Sequence, residues 1–132
     1  MRKELDEALC KKYPEIFRDR NSDMRTTAMC WRFECGDGWY HIIDAVCAQI
    51  ENHLYNKRLN GEKFPPVIAT QVKEKYGTLR FYYTGGDEYV DGVVAMAESI
   101  SARTCDVCGN LGKERGNFWI KTLCDEHAKE QE

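Results

Sequence analysis

The sequence predicts an α+β fold in which a small antiparallel sheet is packed by two main helices. Three observations predict it: two long stretches with apolar residues at helical spacing, two alternating stretches joined by Tyr76-Gly77, and paired cysteines near the C-terminal end. The chain has 132 residues, 42% hydrophobic and 31% charged, which suits one domain with its own core. We expect an α+β core over residues 1–104 and a C-terminal segment, 105–132, docked on it.

The N-terminal third is predicted to contain a helix, a loop and the first strand. Apolar residues recur at helical spacing in Arg2–Tyr13, which is predicted as an amphipathic helix that stops before Pro14. Ile16–Arg25 is rich in charged and turn-forming residues, which favours a solvated loop. The alternative is an arginine-bearing binding loop, because guanidinium groups suit phosphates and carboxylates. Side chains alternate from Thr27 to Cys35, the period of a half-buried strand.

Two longer helices flank a predicted hairpin. The strongest helical pattern of the chain is that of Gly38–Lys57, and Glu88–Ala102 forms a second amphipathic stretch. Between them, Val67–Lys75 and Thr78–Thr84 are predicted to pair as antiparallel strands. We expect these two strands and the first strand to form the sheet that the two helices cover.

A set of four side chains near the C-terminal end predicts a metal site. Cys105 and Cys108 are separated by two residues, so a tight turn can direct both thiolates at one ion. Cys124 and His127 are three apart and share one face of a predicted helix. Three thiolates and one imidazole fill a tetrahedral Zn²⁺ shell, and a filled shell indicates a structural ion, because catalytic zinc keeps one position open.

The segment around these ligands resembles a treble-clef zinc finger. The residues between Cys108 and Cys124 are predicted as a short hairpin, with strand-like residues in Asn117–Leu123. Cysteine turn, hairpin and ligand-bearing helix follow one another as in that class of finger. The resemblance implies a zinc-built C-terminal segment.

Four further cysteines lie among apolar residues and are predicted to be buried, reduced thiols: Cys10, Cys30, Cys35 and Cys47. Cys30 and Cys35 are an odd number of positions apart, so they face opposite sides of a regular strand. This argues against a second metal site there.

Charge and hydropathy exclude some classes of function. The chain has 19 basic and 22 acidic residues, a net charge of −3, which disfavours sequence-independent binding of nucleic acid through a broad basic surface. No apolar run is long enough to span a membrane, and Met1–Glu7 lacks the apolar segment of a signal peptide. We therefore expect a cytoplasmic protein.

The start of the central helix is a candidate site for an anionic ligand or a partner. Helix N-termini attract anions, glycines allow close approach, and neighbouring aromatic rings offer faces for stacking. The predicted binding residues are Arg18, Arg20, Asp37, Gly38, Trp39 and Tyr40. The alternative is a capped helix start with Trp39 in the core.

Catalytic motifs of the hydrolase, phosphate-binding loop and zinc protease types are missing from the sequence, so we expect no enzymatic activity. An enzymatic interpretation would depend on Asp37, His41 and Asp44 gathering near the start of the central helix, with Arg32 or Arg80 nearby. Helix capping and solvation explain the same residues.

Three stretches together resemble small proteins encoded by bacteriophages and prophages: Phe33–Trp39, Lys75–Tyr83 and the terminal cysteine and histidine pattern. That resemblance implies a viral setting and supplies no catalytic residues. Because catalytic motifs are missing as well, we expect a non-enzymatic accessory protein in the host cytoplasm. We expect it to inhibit a host defence system by binding a host protein or an anionic nucleotide signal. The alternative is a zinc-finger accessory factor that binds nucleic acid, and a homo-oligomer is left open.

Overall fold

The computed structural model describes residues 1–25, 27–29 and 32–130. The elements in chain order are α1 (Lys3–Lys12), β1 (Phe33–Glu34), α2 (Tyr40–Leu59), β2 (Ile68–Lys75), β3 (Thr78–Thr84), α3 (Glu88–Ser101), β4 (Lys113–Arg115), β5 (Lys121–Leu123) and α4 (Asp125–Glu130). Two short 3₁₀ turns, Arg18–Asn21 and Asp37–Trp39, precede β1 and α2. The predicted α+β class is confirmed, and the predicted helices and hairpin strands match to within two residues.

The larger sheet has the strand order β1-β2-β3. Strands β2 and β3 are antiparallel, as predicted, with Val72 opposite Phe81. Strand β1, however, pairs with β2 in parallel, with Phe33 opposite Val72. The expectation of an entirely antiparallel sheet is therefore wrong for β1. The reason is connectivity: α2 lies between β1 and β2 and forms a crossover that returns the chain in the same direction.

The first strand is shorter than the predicted Thr27–Cys35. Residues 27–29 are not in a strand, although the Ala28 N–H donates to the Thr70 carbonyl oxygen at 3.1 Å. Arg32 has a φ of +66°, which interrupts an extended backbone immediately before β1. Cys30 and Trp31 of the predicted strand lie outside the described residues.

The core lies between the larger sheet and the helices. Trp39, Ile43 and Ile50 contribute from the α2 segment, Val72 from β2 and Val90 from α3, and none of them is exposed to solvent. Burial of each aliphatic side chain stabilises the fold by about 1.5–3 kcal/mol. The helical spacing that predicted α2 therefore reflects the face that it buries.

Asp87 fixes the beginning of α3 against α2. Its Oδ1 accepts the Val90 N–H at 3.1 Å as an N-cap, and its Oδ2 lies 2.7 Å from His53 Nε2 and 3.1 Å from Lys57 Nζ. The His53 ring stacks on Tyr89, 4.1 Å between ring centres. The two helices are thus joined by one carboxylate.

In the part of the chain that the structure describes, no helix combines the length and apolar character needed to cross a membrane.

Candidate metal centre

The structure brings the four predicted metal ligands together. One ligand atom from each of Cys105, Cys108, Cys124 and His127 lies within 4.8 Å of the others, so these residues could hold a metal ion. The Sγ atoms of Cys108 and Cys124 are 3.8 Å apart. His127 turns Nδ1 toward the cluster, 3.6 Å from Cys105 Sγ and 3.2 Å from Cys124 Sγ. We call residues 105–130 the knuckle and residues 1–104 the body.

The first pair of ligands lies in a tight turn immediately after α3. The Gly109 N–H donates to the Cys105 carbonyl oxygen at 2.9 Å, and the Cys105 N–H donates to the Asn110 carbonyl oxygen at 2.7 Å. Gly109 has a φ of +82°, a left-handed conformation that glycine adopts without strain. The turn therefore holds Cys105 and Cys108 on the same side of the backbone.

The second pair of ligands is positioned by the hairpin of β4 and β5 and by α4. Lys113 pairs with Leu123, so the end of β5 lies beside the start of β4 and delivers Cys124 to the first pair. Asp125 begins α4, and the Ala128 N–H donates to the Cys124 carbonyl oxygen at 2.9 Å. His127 is three residues after Cys124 and faces the same way, as predicted.

Hydrogen bonds in the turn favour the thiolate form of Cys105. Burial alone would raise the pKa of this thiol, but backbone N–H groups of Cys124, Cys108 and Val107 point at its sulfur and bring the pKa down to about 6. The cysteine contacts of His127 raise the pKa of that imidazole, first through Cys124 and then through Cys105. The thiolate of Cys105 is thus favoured where a cation would bind, and the thiolate is the form that binds metals.

Asp106 joins the knuckle to the body. Its Oδ1 accepts the Gly36 N–H at 2.6 Å, and its carbonyl oxygen accepts the Gly38 N–H at 2.8 Å. Burial raises the pKa of this carboxyl, against the lowering effects of the Gly36 N–H and of Lys121. Thr122 adds a second connection, since its Oγ1 donates to the Gly77 carbonyl oxygen at 2.6 Å.

These contacts change the interpretation of the predicted anion site. The Gly36 N–H does bind a carboxylate, but it belongs to Asp106 of the same chain, and the Gly38 N–H is bound by the Asp106 backbone carbonyl oxygen. A Cβ at Gly38 would lie 2.0 Å from the Cys105 carbonyl oxygen, so the knuckle packs directly on this turn. Trp39 is completely buried, and its Nε1 donates to the Thr104 carbonyl oxygen at 2.9 Å. In this structure these amides and the Trp39 ring are therefore engaged within the chain.

The other predicted residues of that site also have partners within the chain. Arg18 Nη2 contacts Glu15 Oε2 at 2.7 Å, and Arg20 Nη2 contacts the buried Asp6 at 2.8 Å. Asp37 accepts the Arg2 N–H at 2.7 Å, and the Tyr40 ring meets His41 edge to face. The arginines neutralise acids of the N-terminal region, and no contact of theirs with the Gly36–Tyr40 turn is found among the described residues.

The residues of the enzymatic interpretation do not converge among the described contacts. Asp37 binds Arg2, whereas Asp44 accepts from Lys12 Nζ at 2.9 Å and from the Tyr13 hydroxyl at 2.5 Å. Both carboxylates thus fasten α1 to the α2 segment. His41 is exposed, and Arg80 lies on β3.

The hairpin carries a feature that the sequence interpretation missed. Asn117–Leu123 was expected to be strand-like throughout, but only Lys121–Leu123 forms β5. The preceding Phe118 and Trp119 lie in the loop between β4 and β5; Phe118 is fully exposed and Trp119 is 78% exposed. Their β-prone side chains suggested a strand, and two adjacent large aromatic residues in a segment that has no core of its own were the available signal for an exposed loop.

The remaining described cysteines are free thiols, as the sequence predicts. Cys35 and Cys47 are buried and Cys10 is half-buried. Burial raises the pKa of Cys10 to about 11 and that of Cys35 to about 12, so both stay protonated at neutral pH. Cys30 lies outside the described residues.

Comparison of the chain with protein-family models, with curated proteins and with solved structures gives no match. The geometry of the knuckle and the surfaces of the described residues are therefore the basis for inferring function.

Proposed function

We propose that the protein is a non-enzymatic binding protein in which structural Zn²⁺ holds the knuckle and the exposed Phe118 and Trp119 contact a partner protein. The observation that carries the proposal is the position of these two rings at the tip of the hairpin that leads into Cys124 and His127. The chain buries Trp39 completely, whereas Trp119 is 78% exposed and Phe118 is fully exposed. Large exposed apolar residues side by side are typical of interaction sites.

The ligand distances support zinc as the ion. Tetrahedral zinc with bonds of about 2.3 Å to sulfur and about 2.0–2.1 Å to nitrogen separates two sulfurs by about 3.8 Å, and a sulfur from a nitrogen by about 3.6 Å. Cys108 and Cys124 Sγ are 3.8 Å apart and Cys105 Sγ is 3.6 Å from His127 Nδ1, whereas Cys124 Sγ lies closer to Nδ1, at 3.2 Å. Four protein ligands leave no position for a reacting water, so we assign the ion a structural role.

The surroundings of His127 support the same assignment. With Nδ1 directed at the sulfurs, the ring presents Nε2 outward, 4.0 Å from a carboxylate oxygen of Glu130. Metal-bound histidines usually have a partner for the second ring nitrogen, which orients the ring. Glu130 is close enough to be the partner of Nε2 after a small movement of its side chain or through a bridging water.

The charges around the tip favour a protein as the partner over nucleic acid. Arg115 ends β4 and Lys121 begins β5, so these cations stand at the base of the aromatic loop. Arg115 contacts Asp125 at 2.6 Å, and Lys121 Nζ lies 4.0 Å from Asp106. Because carboxylates of the knuckle already face both cations, little positive charge remains there for phosphates. An apolar pocket on a protein suits the two rings better.

The narrower expectations stay predictions. A bacteriophage origin, the inhibition of a host defence system and an anionic nucleotide ligand follow from the sequence resemblance. The exposed tip is compatible with inhibition of a host protein by occupation of an apolar pocket on it. Nucleic-acid binding by the knuckle is kept as an outcome of the test.

The experiment compares tagged wild-type protein with a Phe118→Ala, Trp119→Ala double variant. Proteins that co-purify with each tagged chain from host cells are identified by quantitative mass spectrometry. The most enriched candidate partner is then purified, and its binding to each tagged chain is measured by titration. We expect the double variant to lose binding while its metal content and melting temperature are unchanged, because neither ring packs in the core. The matched control is Tyr76→Ala, which removes an aromatic ring of similar exposure from the hairpin of β2 and β3.

Two results would overturn the proposal. If the double variant binds the purified partner as tightly as the wild type does, the tip is not the contact surface. If Trp119 fluorescence responds instead to single-stranded oligonucleotides, with an affinity that falls steeply as salt rises, the knuckle is a nucleic-acid module.

A further inference from the structure

The outer side of α2 and α3 carries an exposed apolar surface. The two helices are antiparallel: His53 in the second half of α2 stacks on Tyr89 at the start of α3, and Trp39 before α2 bonds Thr104 after α3. A groove of about 670 Å³ runs between them. We call its main apolar lining the apolar strip. The strip consists of Ile42, Ala45, Tyr89, Val93, Met96 and Ile100.

The strip is exposed, and two of the three acidic side chains of α3 point away from it. Met96 is 65% exposed, and Tyr89 and Ile100 are each close to half exposed. Asp91 binds the Tyr83 hydroxyl and Glu98 accepts the Phe81 N–H, so both acids face β3. The groove is therefore lined by apolar side chains that meet solvent on two rigid helices. A surface of this kind marks an interaction site in a soluble protein.

The sequence of α3 has the spacing of a helix that packs on another helix. Tyr89, Val93, Met96 and Ile100 follow one another at steps of four, three and four residues, the repeat of a helix–helix seam. Gly92 lies within this seam, and a Cβ placed there meets no atom within 4 Å. Glycine inside a helix costs about 1 kcal/mol relative to alanine, and no close contact in the chain requires it. A second surface that approaches the helix closely would require a glycine at this position.

An imidazole and a carboxylate line the groove, and they lie at opposite ends. His41 is in the first turn of α2, beside the end of α3, and Glu88 is in the first turn of α3, beside the second half of α2. The groove is therefore polarised, with an imidazole at one end and a carboxylate at the other. Such a surface is complementary to itself when a copy is turned end for end.

We propose that two copies of this chain pair through the apolar strip, about a two-fold axis that crosses α2 and α3 at right angles. This arrangement is isologous, so the same strip is buried on both copies. It places the His41 end of each copy over the Glu88 end of the other. An imidazole therefore meets a carboxylate at both ends. A parallel pairing would instead bring the two Glu88 carboxylates together, which is unfavourable. The inference does not depend on the partner of Phe118 and Trp119.

The test is the mass in solution, measured by light scattering after size exclusion over a concentration series. Met96→Glu introduces a charge at the centre of the strip, and the matched control is Met24→Glu, because Met24 is also 65% exposed but lies outside the strip. We expect the wild type and Met24→Glu to be dimers, and Met96→Glu to show a twofold lower mass. Circular dichroism checks that both variants are folded, and Ile100→Lys is a second variant of the strip.

Each other outcome overturns the proposal. A wild-type chain that stays monomeric at its highest soluble concentration has no such dimer. A dimer that persists in folded Met96→Glu and Ile100→Lys uses another surface. If the dimer is lost only in the Phe118→Ala, Trp119→Ala variant, the aromatic tip forms the contact between copies, and both this inference and the proposed partner surface are wrong.

Discussion

The body and the knuckle are stabilised by different means. The body buries apolar side chains from every layer, among them Trp39, Ile50 and Val72, which are completely inaccessible to solvent. The buried apolar cluster of the knuckle consists of Cys105, Leu123 and Cys124, and two of these are metal ligands. Without an ion, therefore, almost nothing apolar holds the knuckle together. A short segment that cannot bury a core depends on its metal for folding.

The two most exposed aromatic side chains of the described residues, Phe118 and Trp119, are both in the knuckle. In the body, Trp39 and Phe33 are buried in the core between the sheet and the helices. On our proposal that an ion stabilises the knuckle, Phe118 and Trp119 are not needed inside it. Metal-built segments can thus present apolar residues to a partner at little cost in stability.

The largest effect is expected from Cys108→Ser, which removes one thiolate of the metal shell. Apparent binding energies of structural zinc are about 10–16 kcal/mol, and most of this is coupled to folding. We expect loss of stoichiometric metal and melting of residues 105–130, measured by elemental analysis and thermal unfolding. Cys10→Ser, which changes a half-buried thiol outside the cluster, should retain the metal. Unchanged metal content and melting temperature in Cys108→Ser would refute a metal-built knuckle.

A smaller effect is expected in the body from Trp39→Ala. The substitution leaves a cavity at a residue with no solvent exposure and removes the Nε1 hydrogen bond to Thr104, so we expect a loss of about 3–5 kcal/mol. Urea unfolding at constant metal concentration measures it. Trp39→Phe keeps much of the volume but not the donor and should lose less. A loss below about 1 kcal/mol for Trp39→Ala would mean that the core relaxes around the site.

The join between the two regions can be tested at Asp106. In Asp106→Ala the Gly36 N–H loses its acceptor in a partly buried place, and we expect a loss of about 1–3 kcal/mol. Asp106→Asn keeps a side-chain oxygen for that N–H and should lose less. Denaturant unfolding of both variants, with the metal content confirmed, measures the difference. Equal stability of the two variants would show that the side-chain hydrogen bond does not hold the knuckle on the body.

The smallest effect concerns acid stability at Asp87. Hydrogen bonding to His53, followed by the Val90 N–H and Lys57, holds the pKa of this carboxyl below its ordinary value. The unfolded chain then binds the proton more readily, so the stabilisation is present above about pH 4 and is lost as the pH falls through the folded-state pKa. Asp87→Asn, which keeps an oxygen for the cap, should make the melting temperature less sensitive to pH below about 4. Glu4→Gln, at an exposed position of α1, is the control, and equal pH profiles for wild type and Asp87→Asn would contradict the account.

Local patterns predicted much of this structure. The metal ligands were found because cysteine and histidine at spacings of three residues encode their own geometry in a turn and in a helix. Strands β2 and β3 were found because a hairpin and its turn are adjacent in sequence. Likewise, α3 follows from its apolar periodicity.

Contacts between distant parts of the chain were not predictable in the same way. The parallel pairing of β1 depends on the crossover through α2, and the bond between Gly36 and Asp106 joins residues 70 positions apart. The sequence indicated that the glycine turn would attract an anion, but it did not indicate that Asp106 would supply it. Phe118 and Trp119 have strand-like side chains, yet a short hairpin without a second layer leaves them in solvent.

Hydrogen exchange with and without a chelator tests most directly the claim that a metal builds the knuckle and an apolar core builds the body. We expect removal of the metal to abolish protection of the amides of β5 and of the Cys105–Gly109 turn, while the amides of β2 and β3 remain protected. Restoring Zn²⁺ should restore protection. Unchanged exchange in the knuckle after the metal has been removed, or loss of protection to the same degree throughout the chain, would contradict the claim.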